Sequence, residues 1–184
     1  MNLTFVDRDD SGLHAPTVEY GGDPAELKDL AYSMLELMCV GNGVDTGIGL
    51  AAPQVGYHVR MFVMHCPPLR NTVCINPRVL QASRKRTSSL ESCLSAPGFR
   101  TYVGRPVTVF AQWVQLDGQV VRRQLDGLAA RCFQHELDHL NGKTIWAADE
   151  KAPIGGPGPS VGIAPPAAPG RNAARPDKPI TETT

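Results

Sequence analysis

The sequence predicts one folded domain that mixes helices and strands, with a central helix that the strands flank and bury. Two helical patterns and four β-rich strings between them predict this arrangement. A length of 184 residues, with 42% apolar and 20% charged residues, is sufficient for one domain with a substantial core.

The first helix is predicted over about residues 24–39. Asp23 and Pro24 suit the N-cap and the first helical position, and Glu26 completes a capping-box pattern. Apolar residues then recur at helical spacing and predict a face that packs into the core, at Leu27, Leu30, Ala31, Met34, Leu37 and Met38. The string GNGVDTG ends the helix.

Strands are predicted where β-branched and aromatic residues concentrate between Pro, Gly and Asn breakers. The four strings are VRMFVMH, TVCINPRVLQ, RPVTVFAQWVQLD and QVVRRQL. Asp117 and Gly118, between the last two, predict a hairpin turn. A second helix is predicted from Gly127 to a C-terminal signal at Asn141 and Gly142.

The composition changes near the C-terminal end. Residues 151–184 hold eight of the 16 prolines and five glycines, with only scattered aliphatic residues. Such a segment cannot bury enough apolar surface to offset its ordering entropy. We therefore predict a folded domain at residues 1–150 and a disordered Pro-, Gly- and Ala-rich tail at residues 151–184.

Charge and cysteine usage exclude several classes of protein. Lys plus Arg and Asp plus Glu both number 18, so no overall field attracts nucleic acid or an anionic membrane. The first residues lack the pattern of a signal or transit peptide, and no run reaches the roughly 18 apolar residues of a membrane span. Five cysteines, mostly within apolar strings such as LELMCV, predict buried free thiols in a reducing compartment, the cytoplasm.

Residues 132–140 read CFQHELDHL, which contains an HExxH motif. On a helix, His135 and His139 lie one turn apart on the same face, so both imidazoles can reach one metal ion. Glu136 lies about 100° round the helix from His135 and can act on a water at that site without being a ligand. A solvated surface helix is the alternative, because a motif match alone is a hypothesis.

A catalytic site of this kind needs a third protein ligand and an open fourth position. The candidates are the remaining histidines, the carboxylates and the cysteines. Cys93 is favoured over the other cysteines because it lies among short polar residues in LESCLSAPGF, outside the apolar strings. A divalent ion would stabilise its thiolate at neutral pH. On these grounds alone the choice stays open.

Three motifs together resemble those of the peptide deformylase family, whose signatures are GxGLAAxQ, EGCxS and QHExDHLxG. Here they read GIGLAAPQ at residues 47–54, ESCLS at residues 91–95 and QHELDHLNG at residues 134–142, in the same order. The similarity covers roughly residues 15–148. It implies a compact α+β domain whose HExxH helix packs among antiparallel strands, with a metal bound by Cys93, His135 and His139.

The resemblance also implies the reaction, which is hydrolytic removal of the formyl group from the N-terminal formylmethionine of nascent polypeptides, with release of formate. Glu136 would be the general base and acid. The Gln54 side-chain amide and the Leu94 backbone N–H would stabilise the oxyanion. The implied cofactor is one divalent ion, Fe²⁺ first, with Zn²⁺, Ni²⁺ or Co²⁺ as substitutes that such ligands accept.

The substrate-binding residues that the resemblance implies are Gly47, Ile48, Gly49, Glu91, Arg100, Leu128 and Cys132. The glycines of the first motif let the backbone approach an extended peptide. Ile48, Leu128 and Cys132 match positions that line the methionine pocket, whereas spacing alone would assign them to the core. Arg100 matches an arginine beside the peptide path and would otherwise be read as a solvated surface charge.

Two residues depart from the family pattern. Ser92 replaces the usual glycine before the cysteine, and Arg131 stands where bacterial relatives often have an aliphatic residue. Arg131 either narrows the pocket rim or turns outward and pairs with a carboxylate.

The Pro-rich tail stands in place of the C-terminal helix with which many bacterial relatives dock on ribosomes. Expected partners are therefore formylmethionyl peptides, with at most transient ribosome contact and no membrane or specific nucleic acid.

Two other functions share part of this pattern. A zinc endopeptidase would have the HExxH helix but not the motifs of Cys93 and Gln54. A catalytically weak deformylase-like protein that binds metal or peptide would be expected to lack Glu136 or a ligand, and all of these residues are present.

Overall fold

A computed structural model describes residues 1–150, with side chains described as far as residue 147. The predicted disordered tail at residues 151–184, and with it the predicted domain boundary, lies outside the described residues. None of the helices in the described range is long and apolar enough to cross a membrane.

The first predicted helix is confirmed. It begins with a 3-10 turn at Pro24–Leu27 and continues as helix α1 at Lys28–Val40. The Asp23 carboxylate accepts a backbone N–H of the first turn at 3.0 Å, as an N-cap does. Glu26 was predicted to complete a capping box with Asp23, but its carboxylate accepts the Tyr20 hydroxyl at 2.6 Å instead.

The described part of the chain holds seven strands, β1 at Gly49–Ala51, β2 at Met61–Cys66, β3 at Leu69–Ala82, β4 at Arg86–Cys93, β5 at Ala96–Pro106, β6 at Thr108–Val114 and β7 at Val120–Asp126. Five of them form an antiparallel sheet in the order β1-β2-β3-β6-β7, and β4 pairs with β5 in a two-stranded antiparallel sheet. The predicted turn at Asp117 and Gly118 joins β6 to β7, with φ 79° at Gly118. Helix α2 at Gly127–Leu140 and helix α3 at Ile145–Glu150 follow.

The predicted strings correspond to β2, β3, β6 and β7, whereas β4 and most of β5 lie outside them. β4 reads RTSSLESC and exposes most of its residues, so it lacks the apolar alternation that signals a strand. Its order comes from pairing with β5, from Arg86 opposite Pro106 to Cys93 opposite Ala96. β1 likewise lies outside the predicted strings, within the motif GIGLAAPQ.

The five-stranded sheet packs against α1 on one face and α2 on the other. Alternate residues of β2 therefore enter different cores: Met61 and Val63 pack with α1, and Phe62 and Met64 pack with α2. Burial of both faces explains the apolar run MFVM at the start of this strand. Helix α2 also contacts β5, so it lies centrally among strands, as the sequence predicts.

The prediction that the cysteines in apolar strings are buried holds for Cys66, Cys74 and Cys132 but is wrong for Cys39, which is exposed. Cys39 lies near the end of α1 next to exposed Val40. The exposure of Cys39 depends on its position relative to the buried face of α1, and not on the apolar character of the neighbouring residues.

Candidate metal centre

Helix α2 presents both histidines of the HExxH motif on a buried face. His135 is 9% exposed and His139 is 1% exposed, and their ring centroids lie 5.1 Å apart. The helix is followed by Gly142, where φ is 69° and a Cβ would lie 2.7 Å from the His14 carbonyl oxygen, so glycine is required. The burial of the histidines excludes the alternative of a solvated surface helix.

The third side chain comes from the hairpin of β4 and β5. Cys93 Sγ lies 3.2 Å from His139 Nε2. One ligand atom from each of Cys93, His135 and His139 lies within 4.8 Å of the others. Among the described residues, no other three His, Cys, Asp or Glu side chains converge in this way. The fold thus brings the favoured cysteine to the two histidines.

These donors fit a divalent transition metal ion. One thiol and two imidazoles form a ligand set that accepts Zn²⁺, Fe²⁺, Co²⁺ or Ni²⁺. His135 Nδ1 is hydrogen-bonded to the Glu91 carboxylate at 2.9 Å, which leaves Nε2 of this ring for a metal.

The Glu91 carboxylate is buried and holds three side chains. Arg105 donates to both of its oxygens, at 2.7 and 2.9 Å, and Arg131 donates to Oε1 at 2.5 Å. Burial opposes ionisation of Glu91, but hydrogen bonds from His135 and Arg105 outweigh it and lower the pKa to about 2. Glu91, expected to bind substrate, does line the cavity, but protein donors occupy both of its oxygens.

Glu136 lies beside β1 and is 4% exposed. A Cβ at Gly49 would lie 2.3 Å from Glu136 Oε1, so the carboxylate fills space that only glycine leaves. Glu136 Oε2 is buried and has no hydrogen-bond partner among the described residues. Burial raises the pKa of Glu136 to about 7, so that both its acid and base forms are accessible near neutral pH.

Gln54 comes from a 3-10 turn, Ala52–Val55, that directly follows β1. Its Oε1 accepts the Ala51 backbone N–H at 2.8 Å, which fixes the amide orientation. Its Nε2 donates to Ser95 Oγ at 3.0 Å and to Cys93 Sγ at 3.4 Å. The amide nitrogen is therefore held beside the cysteine of the metal centre.

These side chains lie at one cavity of about 220 Å³. The predicted site residues that line it are Gly47, Ile48, Gly49, Gln54, Glu91, Cys93, Leu94, Leu128, Cys132, His135 and Glu136. Two predicted residues do not line it. His139 is almost fully buried, and Arg100 lies outside, where it donates to Asp45 at 2.8 Å. Asp45 itself lines the cavity.

Sequence reasoning missed several neighbours of the site. Asp45, Thr46 and Leu90 also line the cavity, and Arg105 holds Glu91. No sequence signal identifies Arg105, because strand pairing and side-chain alternation bring it to Glu91. Arg131 lines the cavity, as the first of its two predicted alternatives has it. It also pairs with a carboxylate, but that carboxylate is buried Glu91, so the prediction that the side chain turns outward is wrong.

Known proteins similar to this chain belong to one family. A model of the polypeptide deformylase family matches residues 3–151 of the chain. A peptide deformylase of Brucella suis is 44% identical over 100 residues, covering 52% of this chain and 57% of that protein. Peptide deformylase 2 of Gloeobacter violaceus is 40% identical over 140 residues, covering 72% and 71% of the two chains.

A solved structure is also similar. The crystal structure of PDF from the Vibrio parahaemolyticus bacteriophage VP16T in complex with actinonin has a TM-score of 0.71 at 36% identity. The similarity covers 78% of this chain and 100% of that chain. The match to the Brucella suis relative spans little more than half of that protein's length. The expected resemblance and α+β fold are confirmed, and the chain belongs to the polypeptide deformylase family.

Proposed function

We propose that this chain is a cytoplasmic, metal-dependent hydrolase that removes the formyl group from an N-terminal formylmethionine and releases formate. One observation carries the proposal, which is the convergence of Cys93, His135 and His139 beside a cavity that Glu136 and Gln54 line. Membership of the deformylase family supports the same reaction. The proposed substrates are formylmethionyl nascent peptides.

Cys93, His135 and His139 are the proposed ligands, and Fe²⁺ is the proposed working ion, with Zn²⁺, Co²⁺ or Ni²⁺ as substitutes. A divalent ion in such a site supplies Lewis acidity, which acidifies a water molecule and polarises a carbonyl oxygen. Glu91 supports the ligand set by holding Nδ1 of His135, because that hydrogen bond fixes both the tautomer and the ring orientation.

Glu136 is the proposed proton carrier. As a base it takes a proton from the attacking water, and as an acid it delivers the proton to the departing amine. Burial supports the assignment, because it raises the pKa of Glu136 to about 7 in the metal-free protein and so favours proton uptake by this carboxylate. Its unpartnered Oε2 supports the assignment further, since one oxygen is available to water or substrate.

Attack of water on the formyl carbon moves negative charge onto the formyl oxygen. We assign Gln54 Nε2 and the Leu94 backbone N–H as donors to that oxygen, and such donors contribute about 3 kcal/mol each. The bonds of Gln54 to Ala51 and Ser95 support this role, because they orient the amide before substrate arrives. When the carbon–nitrogen bond breaks, formate leaves and the peptide keeps a free amino group.

The apolar side of the cavity suits a methionine side chain. Ile48 is 41% exposed and Leu128 is 58% exposed, and Cys132 lies buried with its thiol 3.5 Å from the Ile48 carbonyl. Adjacent exposed apolar side chains at a cavity mark a binding surface. We propose that these three residues contact the methionine, that the backbone at Gly47–Gly49 receives the peptide, and that Arg100 lies along its path.

Formate release from a formyl-Met peptide, by protein loaded anaerobically with Fe²⁺, tests the proposal. Glu136→Ala is expected to lower kcat by about 10²- to 10⁴-fold while metal content is retained. Cys93→Ala is expected to lose metal and activity together. Glu36→Ala, on the exposed face of α1, is the matched control and is expected to retain activity.

Two further substrates separate this reaction from its rivals. An acetyl-Met peptide tests selectivity for the formyl group, and cleavage inside an unformylated peptide would indicate an endopeptidase. Absence of formate from folded, fully metallated protein would favour the metal- or peptide-binding alternative. Turnover that persists in Glu136→Ala would refute the role given to that carboxylate.

A further inference from the structure

Arg131 lies one helical turn before His135 on α2, and its side chain is 13% exposed. Its guanidinium donates to four acceptors on the two-stranded sheet. These are Glu91 Oε1 at 2.5 Å, the Val103 carbonyl at 2.9 Å, and the carbonyl and hydroxyl of Thr87 at 2.8 and 3.3 Å. A guanidinium with donors committed to several fixed acceptors is held in one conformation.

Arg131 also balances the charge of the cluster around Glu91. The carboxylates of Glu91 and Asp138 bring two negative charges, and Arg105 bridges them, at 2.6 Å from Asp138, with one positive charge. Arg131 supplies a second positive charge at this cluster, directly on the buried Glu91 carboxylate. Without Arg131, Arg105 would be the only arginine on Glu91, and breaking a buried ion pair is costly.

These contacts connect the two parts that carry the metal ligands. Arg131 belongs to the helix that carries His135, whereas all four of its acceptor atoms lie on β4 and β5, the hairpin that carries Cys93. Glu91 receives donors on both oxygens, and its Oε2 also holds His135 at 2.9 Å. A rotation of Glu91 away from His135 would therefore have to break the bonds to Arg105 and Arg131.

We infer that Arg131 is a positioning residue of the metal centre. Acting through Glu91, it holds the His135 imidazole so that Nε2 faces the metal, and it fixes the distance between helix α2 and the hairpin. The inference rests on the metal centre of the proposed function but not on the formyl reaction.

Binding of Co²⁺ to the metal-free full-length protein tests this role without any activity measurement. Competition with a chromophoric chelator gives the dissociation constant, and the visible absorption of the Co²⁺-loaded protein reports the ligand geometry. Arg131→Met, which keeps the length of the side chain but removes charge and donors, is expected to weaken binding about 10- to 100-fold and to alter the spectrum. Arg131→Lys keeps the positive charge but lacks the forked donors of the guanidinium. Its Co²⁺ affinity is expected to lie between those of Arg131→Met and the wild type.

Arg122→Met is the matched control, because Arg122 is exposed on β7 and donates to Gln112 at 2.7 Å. Its Co²⁺ affinity is expected to equal that of the wild type. Introducing Arg131→Met into a Glu91→Gln background tests the route, and the additional loss of affinity is expected to be smaller there because the link through Glu91 is already broken.

An unchanged Co²⁺ affinity and spectrum in Arg131→Met, with only a lower unfolding temperature, would overturn the inference. An equal loss in both Glu91 backgrounds would overturn it as well. If Arg131→Met does not fold, Arg131→Lys decides by the same criteria, and wild-type affinity in that variant counts against the inference. Failure of the wild-type protein to release formate, together with the expected Co²⁺ results, would refute only the proposed function and leave the positioning role supported.

Discussion

Adding a single methyl group at Gly49 is expected to displace the Glu136 carboxylate. Gly49 is not among the residues with positive φ, so its backbone conformation accepts alanine. The added carbon would nevertheless lie 2.3 Å from Glu136 Oε1 and 2.7 Å from Cys132 Sγ. Both neighbours lie on α2, so the collision falls on the helix that carries two of the three proposed metal ligands.

The size of the displacement follows from these distances. Ordinary van der Waals contact begins near 3.4 Å, so Oε1 must move by 3.4 − 2.3 = 1.1 Å. Helix α2 resists moving as a body because Phe133 packs against Phe62 of the sheet, with ring centroids 5.1 Å apart. The Glu136 side chain is therefore expected to rotate, and a misplacement of about 1 Å can lower a rate by about 10²-fold.

We expect Gly49→Ala to lower kcat/KM for a formyl-Met peptide by about 100-fold, with metal content as in the wild type. Formate release and atomic absorption measure the two quantities, and thermal unfolding checks the fold. Gly104→Ala on β5 is the matched control, because a Cβ there meets nothing within 4 Å. Its kcat/KM should stay within about twofold of the wild type. A metal-loaded Gly49→Ala protein within about threefold of wild-type kcat/KM would refute the reasoning.

Three further predictions concern stability and the metal. Phe133→Ala removes a fully buried ring and is expected to lower the free energy of unfolding in urea by about 3–5 kcal/mol. Phe110→Ala, on a partly exposed position of β6, is its control and should cost less. Glu91→Gln removes the charge that pairs with buried Arg105 and half-buried Arg131, and it is expected to destabilise the metal-free protein by about 3–5 kcal/mol. An unchanged urea midpoint would contradict the charge network. Chelation is expected to abolish formate release, reversibly on adding Fe²⁺ in the wild type but not in Cys93→Ser, and recovery in that variant would contradict the third ligand.

The parts of the fold that the sequence predicts correctly have local causes. Asp23 caps the first helical segment through a neighbouring N–H, and the turn at Asp117 and Gly118 depends on the backbone freedom of two adjacent residues. β4 has no such local signal, because its polar side chains are mostly exposed and its order depends on pairing with β5. The prediction that Cys39 is buried is wrong for a related reason, because only the tertiary structure determines which side of the last turn of α1 is buried.

The motifs identify the candidate site residues, but they do not identify the side chains that hold those residues in place. The partners of Glu91 lie 14, 40 and 44 positions away, at Arg105, Arg131 and His135. Helical and strand periodicities extend over a few residues only, so neither predicts contacts at these separations. The same limit applies to Cys93. Its polar sequence neighbours favour it only weakly as the third ligand, and only the tertiary structure brings its sulfur within 3.2 Å of His139.

Helix α2 and the hairpin of β4 and β5 contribute to the metal centre in different ways. The spacing of the two histidines is set by helix geometry and would survive changes elsewhere. The distance from Cys93 to the helix depends on tertiary contacts instead, because the two-stranded sheet is not paired with the five-stranded sheet in the described residues. The links from Glu91 to His135, from Arg131 to the hairpin and from Gln54 to Cys93 are among these contacts. Substitutions in these links should alter metal affinity without touching a ligand, whereas equally drastic changes on exposed strands should not.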